Sequence, residues 1–144
     1  MTAKEITDRI WSTFEAGDFD GMMALAHPDG FEFKGVGAEI TDIAEFRAFM
    51  EAYREGFPDL RHEVRDYVES GDTIALELYV RGTHTGTLRG PQGEIPATGK
   101  PVVFVSCDYV KVRDGKVTSW HAYTDMMAFM IQLGLMPDPA AQPA

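Results

Sequence analysis

The sequence predicts an α+β domain in which three N-terminal helices pack on a strongly curved antiparallel sheet, with a short helix near the C-terminal end. Two observations predict this class. Apolar residues recur at helical spacing as far as Pro58 and at a spacing of two beyond it, and Gly and Pro mark the breaks. Such segregated runs cannot form alternating βαβ units. The 144 residues fit one domain, and no linker or repeat divides them.

Capping signals mark where the first and third helices begin. Thr2 with Glu5, and Asp42 with Glu45, each place a carboxylate three residues after an N-cap side chain. A short second helix between them starts near Phe19. The apolar faces of the first and third helices carry, at helical spacing, Ile6, Ile10, Trp11, Phe14, Phe46, Phe49, Met50 and Tyr53.

The first hairpin follows a short strand around Phe31 and Phe33. Its two strands are predicted from a pattern that repeats every second residue over 62–68 and 74–80, with the turn Ser70-Gly71-Asp72 between them. His62, like His27, is interpreted as a surface or structural residue. Residues 82–101 contain five glycines and three prolines, which predicts a long loop that is either a lid or a plain surface loop.

The second hairpin covers residues 102–112 and 116–125, and a short helix over 126–133 follows it. It turns at Asp114-Gly115, a pair suited to the positive φ angles of a tight turn. Counting outward from this turn gives three polar cross-strand pairs on one face: Asp108 with His121, Ser106 with Tyr123, and Phe104 with Asp125. A register shift of one residue would remove this arrangement.

That face combines ionisable groups with aromatic residues, as ligand pockets usually do. Asp125, His121 and Asp108 are the candidate catalytic residues, because a carboxylate removed from water has a raised pKa and can exchange a proton near neutral pH. Two plainer interpretations stay open: Asp125 as the N-cap of the last helix, and Asp108 with His121 as a cross-strand ion pair. The candidate substrate-binding residues are Tyr123, Ser106, Phe104, His84, Trp11, Phe14 and Tyr53.

The opposite face of the second hairpin is almost wholly apolar and needs another protein surface to cover it. Its predicted members are Val103, Val105, Cys107, Tyr109, Trp120, Ala122 and Thr124. We therefore expect a homodimer or a higher homo-oligomer through this outer sheet face.

Composition narrows the class of ligand. A net charge of −10 disfavours nucleic acid and anionic membranes, so we expect a small neutral or hydrophobic ligand. The single cysteine, Cys107, excludes an intramolecular disulfide, and the histidines and acids lack the spacing of a metal site. We expect no cofactor and no metal. The N-terminus lacks the apolar core of a signal peptide and no run is long enough to span a membrane, so a cytoplasmic location is expected.

Several segments together resemble a known family. They are Phe57-Pro58-Asp59-Leu60, Gly71-Asp72, Gly82-Thr83-His84-Thr85-Gly86, Pro96-Ala97-Thr98-Gly99-Lys100, Arg113-Asp114-Gly115-Lys116, Tyr123-Thr124-Asp125 and Gln132-Leu133-Gly134-Leu135. In order and spacing they resemble the SnoaL-like polyketide cyclases, within the wider group of nuclear transport factor 2 and ketosteroid isomerase.

The resemblance implies a cone-shaped α+β barrel over residues 1–136, with residues 137–144 as a disordered tail. It also implies a cofactor-free intramolecular aldol condensation inside an apolar cavity, with a single aspartate before the last helix as acid/base, which matches Asp125. His or Gln on the preceding strand often assists that aspartate in the family, and this chain has Ser106 and Asp108 there. The alternatives are an isomerase or epoxide hydrolase on the same scaffold, or a non-enzymatic binding protein.

Overall fold

The computed structural model describes residues 1–90 and 93–141. Its helices are α1 (Ala3–Ala16), α2 (Phe19–Met23), α3 (Ile43–Gly56) and α4 (Met126–Gln132). Its strands are β1 (Glu32–Gly35), β2 (Ala38–Ile40), β3 (Arg61–Ser70), β4 (Thr73–Thr83), β5 (Leu88–Gly90), β6 (Gly93–Ile95), β7 (Pro101–Arg113) and β8 (Lys116–Thr124). A short 3₁₀ helix, Pro139–Ala141, follows α4.

Six strands form the main sheet in the order β2-β1-β8-β7-β4-β3. All neighbours are antiparallel except β1 and β8, which run parallel. The helices pack on this sheet, and the apolar faces of α1 and α3 contribute to a single hydrophobic core. The predicted α+β class, with a cone-shaped barrel and a short C-terminal helix, is confirmed.

The capping signals act as the sequence predicts. At the start of α1, the Thr2 hydroxyl accepts the Glu5 backbone N–H at 3.1 Å, and the Glu5 carboxylate accepts the Thr2 N–H at 2.8 Å. At the start of α3, Asp42 accepts the backbone N–H of Glu45 at 2.9 Å. These side chains satisfy backbone donors that the first helical turn leaves free.

The predicted register of the second hairpin is wrong beyond its first two pairs. The turn is as predicted, with positive φ at Asp114 and Gly115 and with Val112 opposite Val117. A β-bulge then adds one residue to β8, and Thr118 donates its hydroxyl to the Lys111 carbonyl at 3.2 Å. From there on the pairing is shifted by one residue.

The shift exchanges the two faces of β8. His121 now lies opposite Tyr109, and Tyr123 lies opposite Cys107. Trp120, which the predicted register placed on the outer face of the sheet, is buried with 4% of its surface exposed. Burial of a large indole is worth about 1.5–3 kcal/mol or more, and the bulge is the local change that allows it.

The predicted loop over 82–101 contains more structure than expected, because β5 and β6 pair with each other within it. Its first part packs tightly on α3. The Gly86 N–H donates to the Gly56 carbonyl at 3.2 Å, and a Cβ at Gly86 would collide with the Glu55 carbonyl. Residues 91–92 of this loop lie outside the described residues.

The boundary at residue 136 stays a prediction. Pro139–Ala141 form the 3₁₀ helix, and residues 142–144 of the predicted tail lie outside the described residues. Among the described residues, none of the helices is both long and apolar enough to span a lipid bilayer.

Candidate active site

A cavity opens between α1, α3 and the inner face of the sheet, with about 550 Å³ of empty space including its mouth. Its wall is mostly apolar, and seven of its side chains are aromatic. The aromatic side chains are Trp11, Phe14, Phe33, Phe49, Tyr53, Phe104 and Trp120. Polar atoms enter the wall at four further positions, His62, Ser106, Asp108 and Thr124. An apolar wall with a few polar groups is the usual form of a small-molecule site.

Asp108 is the carboxylate among the described residues that lines this cavity, and only 2% of its surface is exposed. Ser106 donates its hydroxyl to Oδ1 at 2.6 Å, and Trp120 donates its indole N–H to Oδ2 at 2.9 Å. Burial raises the pKa of Asp108, although these two hydrogen bonds and the charge of His62 oppose the rise. Asp108 is therefore a buried acid whose proton is held more tightly than in water.

Tyr53 on α3 lies in the same wall and is partly buried. Burial, and secondarily the charge of Asp108, raise the pKa of Tyr53. The hydroxyl therefore stays protonated and can donate a hydrogen bond to an oxygen of a ligand.

A second hollow of about 470 Å³ adjoins the cavity. It shares Val36, Phe49 and Tyr53 with the inner cavity, and residues 88–90 of β5 form part of its rim. From α4, Met126 and Phe129 complete the rim. The segment predicted as either a lid or a plain surface loop therefore lines this second hollow, together with the last helix.

The family model of the SnoaL-like polyketide cyclases matches residues 3–133. The chain belongs to this family. A curated relative, aklanonic acid methyl ester cyclase DnrD of Streptomyces peucetius, is 24% identical over 92% of this chain and 91% of its own.

Solved structures of family members share the fold. AclR, a proposed hydroxylase from Streptomyces galilaeus, superposes with a TM-score of 0.80 at 25% identity, over 94% of this chain and 83% of its own. A proposed SnoaL-like polyketide cyclase from a Jannaschia species also has a TM-score of 0.80, at 24% identity over 94% and 93% of the two chains. The cone-shaped fold is therefore common to relatives described by different activities.

In this SnoaL-like chain the three predicted catalytic residues do not lie together, because the predicted register of the second hairpin is wrong. Asp108, Ser106 and Phe104 lie in the cavity as predicted, together with Trp11, Phe14 and Tyr53. The predicted pairs of Asp108 with His121 and of Ser106 with Tyr123 are wrong, because the bulge places Ala122 opposite Asp108 and Thr124 opposite Ser106.

His121 and Tyr123 lie on the outer face of the sheet. His121 contacts the Glu32 carboxylate through Nε2 at 2.7 Å, and this contact lowers the pKa of Glu32. Tyr123 is 66% exposed. Neither side chain lines the cavity, because a shift of one residue moves each to the opposite face of a strand.

Asp125 is the N-cap of α4. Its Oδ1 accepts the backbone N–H of Ala128 at 3.0 Å, and the residue is exposed. This is the plainer of the two roles that the sequence left open for Asp125. The carboxylate does not line the cavity, although the neighbouring Met126 lines the second hollow.

His84, a predicted ligand contact, is fully buried outside the cavity. Its Nδ1 accepts the Thr98 backbone N–H at 3.2 Å, and its ring stacks on Phe57 with centroids 5.1 Å apart. Burial lowers the pKa of His84, which favours the neutral ring. His84 therefore fastens the two ends of the 82–101 segment together.

His62 is the ionisable cavity residue that the sequence analysis missed. On β3 it lies opposite Val80, while Val64 two residues on lies opposite Leu78, and both partners are buried. The alternation through Val64 could have revealed this, since residues i and i+2 of a strand share a face. The sequence analysis instead interprets His62 as a surface or structural residue.

No group of three or more His, Cys, Asp or Glu side chains within residues 1–90 and 93–141 is arranged to hold a metal ion.

Proposed function

We propose that this protein catalyses an intramolecular aldol-type ring closure on a hydrophobic carbonyl compound, with Asp108 as the acid/base. The observation that carries the proposal is the position of Asp108, a buried carboxylate with a raised pKa inside an aromatic cavity. A general base must have its pKa near the working pH to take a proton from carbon and return it later. The curated relative named as a methyl ester cyclase supports the same class of reaction.

The wall also offers hydrogen-bond donors for the oxygen that becomes negative. The Tyr53 hydroxyl is one, because its raised pKa keeps it protonated. Trp11 is another: the residue is 8% exposed, and its Nε1–H has no hydrogen-bond partner among the described residues. A buried donor without a partner costs about 1–3 kcal/mol, which a ligand carbonyl in this cavity would relieve. Donors aimed at a developing oxyanion are a large source of catalysis.

The substrate class follows from the wall and the charge. Aromatic side chains favour a flat, largely unsaturated molecule, since aromatic rings attract each other beyond their buried area. The net charge of −10 disfavours polyanionic substrates. We therefore propose a neutral polycyclic or polyketide ketone bearing an acidic C–H next to a carbonyl.

The test is a pair of matched variants, Asp108→Asn in the cavity and Asp125→Asn at the helix cap. The first probe is aklanonic acid methyl ester, and other polyketide and steroid-like ketones are tested beside it. Conversion is detected as a rearrangement without a change of mass or as a loss of water. We expect Asp108→Asn to lower turnover about 10²- to 10⁴-fold, while Asp125→Asn stays near wild type. Full activity in Asp108→Asn, or loss only in Asp125→Asn, would refute the assignment. An isomerase or epoxide hydrolase would show itself by its product in this panel.

A second candidate is a non-enzymatic binding protein for the same class of molecule. It is favoured by the hydrogen bonds of Asp108, because each carboxylate oxygen already accepts one donor, from Ser106 and from Trp120. In that case the panel would give tight binding without product, and Asp108→Asn would leave the affinity for the ligand unchanged.

The outer sheet face supports a proposed homodimer. On β7 the apolar side chains Val103, Val105 and Tyr109 are exposed, as the sequence predicted. On β8 the exposed side chain is Tyr123, whereas Trp120, which was predicted on this face, is buried. Exposed apolar patches of this kind commonly mark contact surfaces. Light scattering on wild type and Val105→Lys tests it: a wild-type dimer that becomes a monomer supports the proposal, and a wild-type monomer refutes it. We also propose a cytoplasmic location, which fractionation of the native host would test.

A further inference from the structure

We propose that His62 is a second catalytic acid/base, which protonates the acceptor carbonyl oxygen while Asp108 removes the proton from carbon, and that Glu15 is its positioning residue. This inference rests on the proposed function. An aldol closure needs two proton transfers, and the inference assigns one to Asp108 and the other to His62.

The ring of His62 is held in the cavity wall by α1. It stacks on Trp11 with ring centroids 4.5 Å apart and meets the edge of Phe14 at 5.5 Å. The His62 side chain is 8% exposed. A ring fixed between two aromatic neighbours keeps one orientation, as a proton donor must.

Glu15, in the last turn of α1, contacts His62 at two atoms. Its Oε1 accepts the His62 backbone N–H at 2.8 Å and lies 3.4 Å from the ring Nδ1. The contact with His62 lowers the pKa of Glu15, so a carboxylate faces Nδ1. A carboxylate beside one ring nitrogen fixes the orientation of the ring and favours the proton position on that nitrogen. The other nitrogen, Nε2, makes no hydrogen bond to any residue the structure describes, which leaves it for a ligand.

The charges around the ring come from each element packed against it. Glu15 contributes from α1, Asp108 from β7 and Arg61 from the neighbouring position on β3, and the Tyr53 hydroxyl faces the cavity from α3. Two carboxyl groups and one guanidinium therefore lie on the elements around the ring. The same charge of His62 opposes the effect of burial on the pKa of Asp108.

The step balances without a further reactant. The Asp108 carboxylate takes a proton from the carbon beside the first carbonyl, and the C–H electron pair becomes an enolate. The enolate carbon then forms a bond to the second carbonyl carbon, whose π electrons move to oxygen, and that oxygen takes the Nε2 proton of His62. Asp108 is left protonated and His62 neutral, and exchange with water returns both groups to their starting states.

The kinetic test uses His62→Gln and Glu15→Gln, with His121→Gln on the outer face as the matched control. We expect His62→Gln to lower turnover of aklanonic acid methyl ester, or of whichever ketone in the panel wild type converts, about 10²-fold or more. Glu15→Gln keeps an acceptor for the backbone N–H but removes the charge, so its activity should fall off at a lower pH than in wild type and recover on acidification. A folding defect alone would not move the pH profile.

The outcomes separate this inference from the proposed function. Loss in Asp108→Asn with normal activity in His62→Gln would refute the role of His62 and leave Asp108 as base. Unchanged activity in both would refute the proposed function itself. An unshifted profile in Glu15→Gln would refute the positioning role.

A binding test does not depend on knowing the substrate. The probe is 2-naphthol, whose absorbance distinguishes the neutral hydroxyl from the naphtholate, an oxyanion that resembles the oxygen formed from the acceptor carbonyl. We expect the bound probe to be partly ionised in wild type and in His121→Gln, and less ionised in His62→Gln. Equal ionisation in all three proteins would overturn the inference. Absence of binding to wild type would count against the cavity as a site for flat aromatic ligands, and therefore against both proposals.

Discussion

The indole N–H of Trp120 donates to Oδ2 of Asp108 at 2.9 Å, across the inner face of the hairpin formed by β7 and β8. Trp120 lies opposite Val110, so it is the diagonal neighbour of Asp108 on the same face. This relationship exists only because the bulge after Val117 moves Trp120 inward. One extra residue in β8 therefore supplies both a wall of the cavity and a donor to its carboxylate.

Replacing Trp120 with Phe should move the pH dependence of activity. The variant keeps a ring but loses the N–H that favours the ionised form of Asp108, so the pKa of Asp108 rises further above its usual range. The acid limb of the kcat/KM profile should therefore move to higher pH. Because the smaller ring also lowers stability, the position of the limb is the readout, and an unmoved limb would contradict the role of the Trp120 donor.

Ser106→Ala should shift the same limb in the same direction. It removes the hydroxyl that donates to Oδ1 of Asp108 at 2.6 Å. A lost hydrogen bond to a buried charged group also costs about 1–3 kcal/mol of stability. Ser119→Ala on the outer face is the matched control, since Ser119 contacts His121 rather than Asp108. Equal profiles for the two variants would show that Ser106 does not influence the acid.

Asp108→Asn should gain stability relative to wild type as the pH rises. Burial raises the pKa of Asp108 above its usual value, so the folded protein holds this proton to a higher pH than the unfolded chain does. The associated stability of wild type is present at low pH and is lost as the pH rises through the raised pKa. The amide has no such loss, so the difference in stability between the two proteins should widen as the pH rises through that pKa.

Urea unfolding of both proteins between about pH 4 and pH 8 measures that difference. Asp125→Asn serves as the control because it removes an exposed carboxylate. A difference that stayed constant over the whole pH range would contradict the raised pKa of Asp108.

Asp125→Ala should lower stability while turnover persists. It removes the N-cap acceptor of α4, a change that costs about 1 kcal/mol. The helix keeps a second anchor, because the Gln132 amide bonds the backbone N–H and C=O of Val103 at 2.6 and 2.8 Å. Thermal unfolding and an activity assay on the same sample test this. A large loss of kcat at an unchanged melting temperature would instead make Asp125 a catalytic residue.

Much of the fold was predictable because its signals are local. The capping box of Thr2 and Glu5 and the turn at Asp114-Gly115 each depend on residues within one helical turn or one hairpin loop. The cavity residues on α1 and β7 followed from period and alternation. Trp11, Phe14, Ser106 and Asp108 were all predicted on the correct side.

The two residues misplaced on β8 share a cause. The positions of His121 and Tyr123 were counted outward from a correct turn, but the bulge beyond Val112 has no signature in the neighbouring sequence. It is favoured because it buries Trp120 against Phe33, Phe46 and Trp11, which come from three other elements. Only packing across those elements could select it.

The sequence by itself determined the α+β class, the helices and their caps, the hairpin turn and the presence of acids in a polar and aromatic setting. The tertiary structure decided which acid faces the cavity, because Asp108 and Asp125 differ in environment and not in type. It also brought His62 of β3 and Glu15 of α1 together, although 47 positions separate them in the chain. Local patterns determine local geometry, whereas the pKa and the partners of a side chain depend on what the fold packs around it.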